Sequence, residues 1–232
     1  GPVSTLKVKG ADGGIKSIAL DYDGDLLTIS LKKHQDGNKS KPMLSHGDDL
    51  KLKLTVANLE SLESYGSGDI FFKDLKSKQL EVNLRGSGDA FFGVIDCKAL
   101  DLSTSGSGDM SVTELTADSI NLSARGSGDV LIGVINAPSL SVSIQGSGDI
   151  KVAKEGRADH QEVSIMGSGD FYSKKLESKT SKISVMGSGD VVVHVIDYLE
   201  ASVFGSGDIK YYGQPKTSTT AFGSGTVRAL RK

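Results

Sequence analysis

A chain of 232 residues is long enough for one large all-β domain or two small ones. Its 27 Lys plus Arg against 29 Asp plus Glu leave a formal charge of −2, so no basic field exists to hold a phosphate backbone, which argues against nucleic acid as a partner. Cys97 is the single cysteine, which excludes an intramolecular disulfide framework and any zinc site needing paired thiolates, and no run approaches the roughly 18 apolar residues of a membrane-spanning helix.

In chain order, Gly1-Pro2-Val3-Ser4 lacks the charged and apolar regions of a signal peptide. The leading Gly1 reads as an expression scar, so a natural export signal ahead of it stays open. Residues 15–20 and 26–31 flank the turn-rich Asp21-Tyr22-Asp23-Gly24-Asp25 and predict a hairpin. Residues 34–48 collect Gly, Asn, Lys, Pro and Ser and read as a loop. Leu50, Leu52, Leu54 and Val56 then alternate toward the first repeat. Residues 1–65 are therefore expected to supply N-terminal strands and a cap for a solenoid of residues 66–232, the two forming one continuous domain.

From residue 66 the chain is self-similar. Gly-Ser-Gly-Asp recurs with first glycines Gly66, Gly86, Gly106, Gly126, Gly146, Gly167, Gly187 and Gly205, and second glycines Gly68, Gly88, Gly108, Gly128, Gly148, Gly169, Gly189 and Gly207. The aspartates that follow are Asp69, Asp89, Asp109, Asp129, Asp149, Asp170, Asp190 and Asp208, and Gly223-Ser224-Gly225-Thr226 is a degenerate ninth copy. Successive starts lie 20, 20, 20, 20, 21, 20, 18 and 18 residues apart, a regularity that marks one structural coil, repeated.

Between the glycines the period is two, as in Leu80-Glu81-Val82-Asn83-Leu84-Arg85, which reads as a half-buried strand. A second strand starts just after each marker, because the fourth residue beyond the first Gly is apolar in every copy: Ile70, Ala90, Met110, Val130, Ile150, Phe171, Val191, Ile209 and Val227. Nine residues beyond the first Gly stand Leu75, Ile95, Leu115, Ile135, Leu176 and Ile196, a third inward column, with Glu155 the exception. No coil can bury its apolar face alone, whereas coils stacked about 4.8 Å apart merge these columns into one core. The predicted fold is thus an all-β, right-handed single-stranded parallel β-helix of about 20 residues per coil. A hairpin meander with the same markers is the competing arrangement. The glycines are read as structural turns at sharp corners, and each following Asp as the acceptor of an Asx-type turn.

The iterated Gly-Ser-Gly-Asp, with the closing Tyr211-Tyr212-Gly213-Gln214-Pro215 before Gly223-Ser224-Gly225, resembles the autotransporter-adhesin head domain family, also called the GIN domain. The likeness covers roughly residues 50–232. It implies an exported or cell-envelope β-solenoid of Bacteroidetes-type bacteria, in the periplasm, on the outer-membrane surface or secreted, with no established enzymatic activity. The start of the chain departs from the family pattern in lacking its expected opening strands.

The column of corner aspartates raises a calcium reading. Calcium-binding β-roll repeats recur at about nine residues, with ligands from both sides of a turn, whereas here one Asp recurs per coil with no second acid at a fixed offset. The expectation is a structural turn, with no metal and no cofactor. The rival function is a polysaccharide-acting, pectin-lyase-like enzyme, because right-handed β-helices host such chemistry. Its site would need a unique local cluster, and acids that repeat identically in every coil mark scaffold. His34, His46, His160 and His194 share no motif and read as surface or packing residues, so no catalytic residue is named. The coil of residues 146–166 inserts one residue and carries Lys151, Lys154, Glu155, Gly156, Arg157, Asp159, His160 and Glu162, a solvated bulge that could also hold a contact site.

Alternation points the fifth residue after each first Gly outward, at Phe71, Phe91, Ser111, Leu131, Lys151, Tyr172, Val192 and Lys210. The residue before each first Gly adds Met166, Met186, Phe204 and Phe222 near the C-terminal end. Phe71, Phe91, Leu131, Tyr172, Met166, Met186, Phe204 and Phe222 are accordingly the candidate interface, serving a homo-oligomer, a cell-surface protein or a glycan. The competing arrangement turns these side chains into the core. The function expected is a non-catalytic, extracytoplasmic, adhesin-like or structural binding module.

Overall fold

The computed structural model describes residues 5–9, 16–36, 39–42, 51–56 and 58–231, and the chain divides into two compact units, Gly1–Ala57 and Asn58–Lys232. In the first unit, Ile18–Asp23 pairs antiparallel with Leu26–Leu31 as the predicted hairpin, turning at Gly24 with φ 59°. Two expectations change. The stretch 34–48, read as a loop, contains a second hairpin of Lys33–Asp36 with Lys39–Pro42, because polar composition marks a connection without excluding short strands on either side. Leu52 and Leu54 do not lead into the first coil. Lys51–Thr55 pairs antiparallel with Thr5–Lys9, setting Leu52 opposite Val8 and Leu54 opposite Leu6. Alternation identifies a strand but not its partner, whose residues lie 42 to 50 positions away in sequence. Residues 1–4, Ile15, His46 and the rest of 43–50 lie outside the described residues.

The second unit is a parallel β-solenoid, and the hairpin meander is set aside. Every strand pairing in it is parallel, and the corner glycines stack one on the next: Gly66 on Gly86, Gly86 on Gly106, then Gly126, Gly146, Gly167, Gly187, Gly205 and Gly223. Each coil supplies one strand before the corner, such as Ser119–Gly126, and one after it, such as Met110–Thr116. Gly126 shows why the corner needs glycine: its φ is 115°, and a Cβ there would run into the carbonyl oxygen of Gly106 one coil below.

The inward columns fill the interior. Before the corner stand Leu100, Leu102 and Thr104, then Ile120, Leu122 and Ala124, and then Leu140, Val142 and Ile144, all buried. After it stand Met110, Val112 and Leu115, followed by Val130, Ile132 and Ile135. Each fully buried side chain of this size contributes about 1.5–3 kcal/mol, so the stack rather than any single coil supplies the stability. The expected fourth-position column is inward throughout, with Ile70 and Val227 only partly covered at the two ends.

The ninth-position column needs one correction. Ile196 is 43% exposed, because the coil from Gly187 is two residues shorter and the pairing slips between Tyr172 and Glu177 and again between Ser178 and Thr180, which sets the fully buried Val195 opposite Ser178. At the Glu155 exception Gly156 lies opposite Leu176 and sits against the backbone of Ile135. Two coils also replace apolar core residues by Gln161, Ser173, Ser178 and Ser181, all at most 3% exposed. Ser181 Oγ donates to Gln161 Oε1 at 2.9 Å and Ser178 Oγ donates to the Ser181 hydroxyl at 2.8 Å, with the His194 carbonyl 3.0 Å from Ser178 Oγ as its alternative acceptor.

Candidate functional site

Three surface features are built by the coil itself. The first is the aspartate column at the glycine corner. Each carboxylate reaches along the solenoid rather than around its own turn: Asp69 Oδ1 accepts the backbone N–H of Asp89, Asp89 that of Asp109, and so on to Asp208, which accepts from Thr226. The distances run from 2.6 to 3.0 Å. The Asx-turn reading is thereby corrected, because a coil spacing near 4.8 Å brings the next coil's amide into reach. The degenerate ninth copy continues the ladder, since Thr226 Oγ1 also donates to Asp208 Oδ1 at 2.8 Å. Near this end Lys210 Nζ lies 2.8 Å from Asp190 Oδ2 and 3.4 Å from Asp208 Oδ2, offsetting the stacked negative charge. Among the described residues no group of three or more His, Cys, Asp or Glu gathers as for a metal ion.

Two ladder members titrate in opposite directions. The hydrogen bond from Thr226 holds the Asp208 carboxyl below the usual carboxylate range, whereas burial pushes that of Asp149 up. Asp208 therefore contributes stability that is present above the ordinary carboxylate pKa and lost as pH falls through its depressed value. Asp149 contributes stability present below the ordinary value and lost as pH rises through its raised one. Asp208→Asn should lower the melting temperature at neutral pH and converge on the wild type in acid, while Asp149→Asn should cost less at neutral pH. Thermal melts from neutral to strongly acidic buffer check this; pH-independent shifts of equal size in both variants would contradict it.

The second feature is the pair of outward columns flanking that corner. All eight candidate interface residues are exposed, from Tyr172 at 36% to Phe71 at 73%. Phe71 and Phe91 stack at 4.9 Å, and Phe204 and Phe222 at 5.4 Å. The coil register aligns Met166, Met186, Phe204 and Phe222 in one file. Tyr65, 66% exposed, belongs to the same file at its other end and was not singled out from sequence, although it too precedes a first Gly. The apolar surface is divided rather than continuous: Ser111, Arg125, Gln145 and Lys151 separate Tyr65, Phe71 and Phe91 from Met166, Tyr172, Met186, Phe204 and Phe222, with Leu131 between. Tyr172 is tied to the ladder, its hydroxyl donating to Asp170 Oδ2 at 2.7 Å, which pushes its pKa up to about 12.

The third feature, missed in the sequence, is an open groove of about 930 Å³ along another edge of the coils. Its floor is Ser77, Cys97, Ala117 and Ala137, one small residue per coil, each eleven positions beyond the first Gly. That offset was the available signal. One wall is the file Lys76, Asp96, Thr116, Asn136 and Arg157, and the other carries Lys78, Lys98, Asp118, Pro138, Asp159 and Lys179. Lys76 pairs with Asp96 at 2.9 Å and Lys179 with Asp159 at 2.9 Å. The irregular coil of residues 146–166 thus contributes Arg157 and Asp159 here, while Lys151 lies in the outward file beside the corner. Burial raises the pKa of the Cys97 thiol. His160, next in the chain to Asp159, holds its Nδ1 2.9 Å from Thr180 Oγ1, and His194 packs edge-on to Tyr212 with Glu177 at 3.9 Å. Among the described residues no helix is long and apolar enough to cross a membrane.

Several solved structures share this architecture. A "Putative lipid binding protein" from Parabacteroides distasonis is 25% identical with a TM-score of 0.68, over 99% of this chain and 85% of that one. A "putative adhesin" from Parabacteroides merdae is 21% identical with a TM-score of 0.70, over 98% of this chain and 84% of that one, and a second from P. distasonis is 21% identical with a TM-score of 0.67 over 98% and 84%. The latter two show the fold alone. No curated protein matches. The family match reaches further toward the N-terminus than the repeats that carried the resemblance: over residues 1–114 and 102–215, the chain belongs to the family described as "Putative auto-transporter adhesin, head GIN domain".

Proposed function

We propose that this chain is a non-catalytic, extracytoplasmic binding module that presents a rigid β-solenoid to a partner at the cell envelope. One observation carries the reading: eight bulky apolar side chains, each at least 36% exposed, are held in register beside a hydrogen-bonded corner instead of entering the core. Large exposed apolar surface is uncommon on proteins without a partner, and aromatic and Met side chains are the types enriched at interfaces. The adhesin-like family supports a surface role, and the repetition of acids in every coil argues against a dedicated catalytic pair.

The partner is a second copy, a surface protein or a glycan, and substitution separates the stripe from the fold. Phe71→Ser with Phe91→Ser, and separately Phe204→Ser with Phe222→Ser, should keep the strand signature in circular dichroism and weaken capture of the partner about tenfold or more. Sedimentation over a concentration series detects a second copy, and cell-surface and glycan arrays detect the others. Unchanged capture by both double variants would remove the stripe from the interface. Reproducible turnover of a polysaccharide by the wild type would replace the binding reading with the lyase-like enzyme.

A further inference from the structure

We infer that the groove floored by Ser77, Cys97, Ala117 and Ala137 is a binding site for an extended acidic polysaccharide, laid along the solenoid across successive coils. This deepens the binding-module reading and uses a different face from the apolar stripe. The groove holds five cations, Lys76, Lys78, Lys98, Arg157 and Lys179, against Asp96, Asp118 and Asp159, a local excess of two positive charges on a chain whose formal charge is −2. Lys78 and Lys98 are exposed, and no anionic partner engages them among the described residues. The Lys76–Asp96 and Lys179–Asp159 pairs are exposed enough that exchanging one anion for another costs little.

The distribution of charge selects the class of ligand. Lys76, Lys78 and Lys98 stand at one end and Arg157 and Lys179 at the other, three to five coil steps away, or about 14–24 Å. A fatty acid has one anionic end and an acyl chain that an open groove would leave in water. A polymer bearing carboxylates along its length meets both ends at once. An acidic peptide would be held best by strand addition, but the floor is already paired along the coils: Ser77 N–H donates to the Asp96 carbonyl, Cys97 N–H to that of Thr116 and Ala117 N–H to that of Asn136. What the groove offers instead are side chains suited to hydroxyls and carboxylates, with Thr116 and Asn136 between the charged ends, above a floor of small apolar surface on which sugar rings can lie.

The experiment measures binding of the full chain to polygalacturonate, its fully methyl-esterified form, polyglutamate and phosphatidylglycerol vesicles. The expected result is salt-sensitive binding to polygalacturonate, weaker by about tenfold or more for the other three probes and for the Lys78→Glu, Lys98→Glu variant. Should that variant melt abnormally, Lys78→Gln with Lys98→Gln removes the charges with less disturbance and should weaken binding in the same direction. Retention of wild-type affinity by the folded charge variants overturns the site. Equal or tighter binding of polyglutamate or vesicles overturns the ligand class, and no binding of polygalacturonate overturns the proposal. The Phe204→Ser, Phe222→Ser variant keeps the two readings apart: it should bind polygalacturonate normally. If stripe variants lose their partner while no polygalacturonate binds, the groove falls and the binding module stands.

Discussion

Gly126→Ala should prevent the middle of the solenoid from forming, at a cost above about 4 kcal/mol. Two effects combine at this position. A φ of 115° is strained for any residue with a Cβ, which alone costs about 1–3 kcal/mol. The added methyl would also collide with the carbonyl oxygen of Gly106, which accepts the N–H groups of Ser127 at 2.9 Å and Gly128 at 3.3 Å. Moving that carbonyl aside breaks the rung joining two corners, and close-packed coils leave no slack to absorb the shift. Two companion substitutions separate the effects. Gly66 has a φ of 118° and nothing within 4 Å of a built Cβ, so Gly66→Ala should show the backbone strain alone. Gly128 lies outside the left-handed region but would meet the Gly108 carbonyl, so Gly128→Ala should show the collision alone. Urea unfolding of the three variants should rank Gly126→Ala as the most damaging and Gly66→Ala as the mildest. Equal losses at Gly66 and Gly126 would mean that coil stacking imposes no demand of its own.

Phe171→Ala is expected to cost about 3–5 kcal/mol, close to what a small domain can lose before unfolding. Phe171 is fully buried and heads the largest side chains of the core. Phe71, the same residue type in a neighbouring outward file, is 73% exposed, and its main contact of note is the stacked ring of Phe91. Its replacement by Ser should cost about 0.5–1.5 kcal/mol, the worth of an aromatic pair. The two phenylalanines differ by one step in their distance from the corner, the fourth residue beyond the first Gly against the fifth, and a strand sends successive side chains to opposite faces. Denaturant midpoints of the single variants test this. A loss at Phe71 matching that at Phe171 would place its ring in the core and remove it from any interface.

How far the sequence reaches depends on whether a feature repeats. All nine copies share the two glycines and an apolar fourth position, and eight share the aspartate, so an error in reading one coil is corrected by the others. The repeated coil with its inward fourth-position column follows from periodicity, whereas the parallel pairing that excludes a hairpin meander came from the structure. Alternation also placed Phe71, Phe91, Phe204 and Phe222 outward, because the pleat has a period of two and the corner leaves that phase intact.

Tertiary structure decided what does not repeat or what joins distant residues. Ile196 looked inward by counting from Gly187, but a shorter coil slips the register, leaving Ile196 exposed and setting the buried Val195 opposite Ser178. The partner of Lys51–Thr55 was hidden because Thr5–Lys9 lies far away along the chain and strand propensity carries no address. The aspartates were legible as corner residues, yet only stacking showed that each carboxylate binds the amide of the following coil. The groove required the same step: Ser77, Cys97, Ala117 and Ala137 are unremarked small residues one at a time, and they become a floor when coils align them between two charged walls. Local pattern sets which face a side chain takes, whereas the vertical spacing of the coils, which no single repeat contains, sets what that side chain meets.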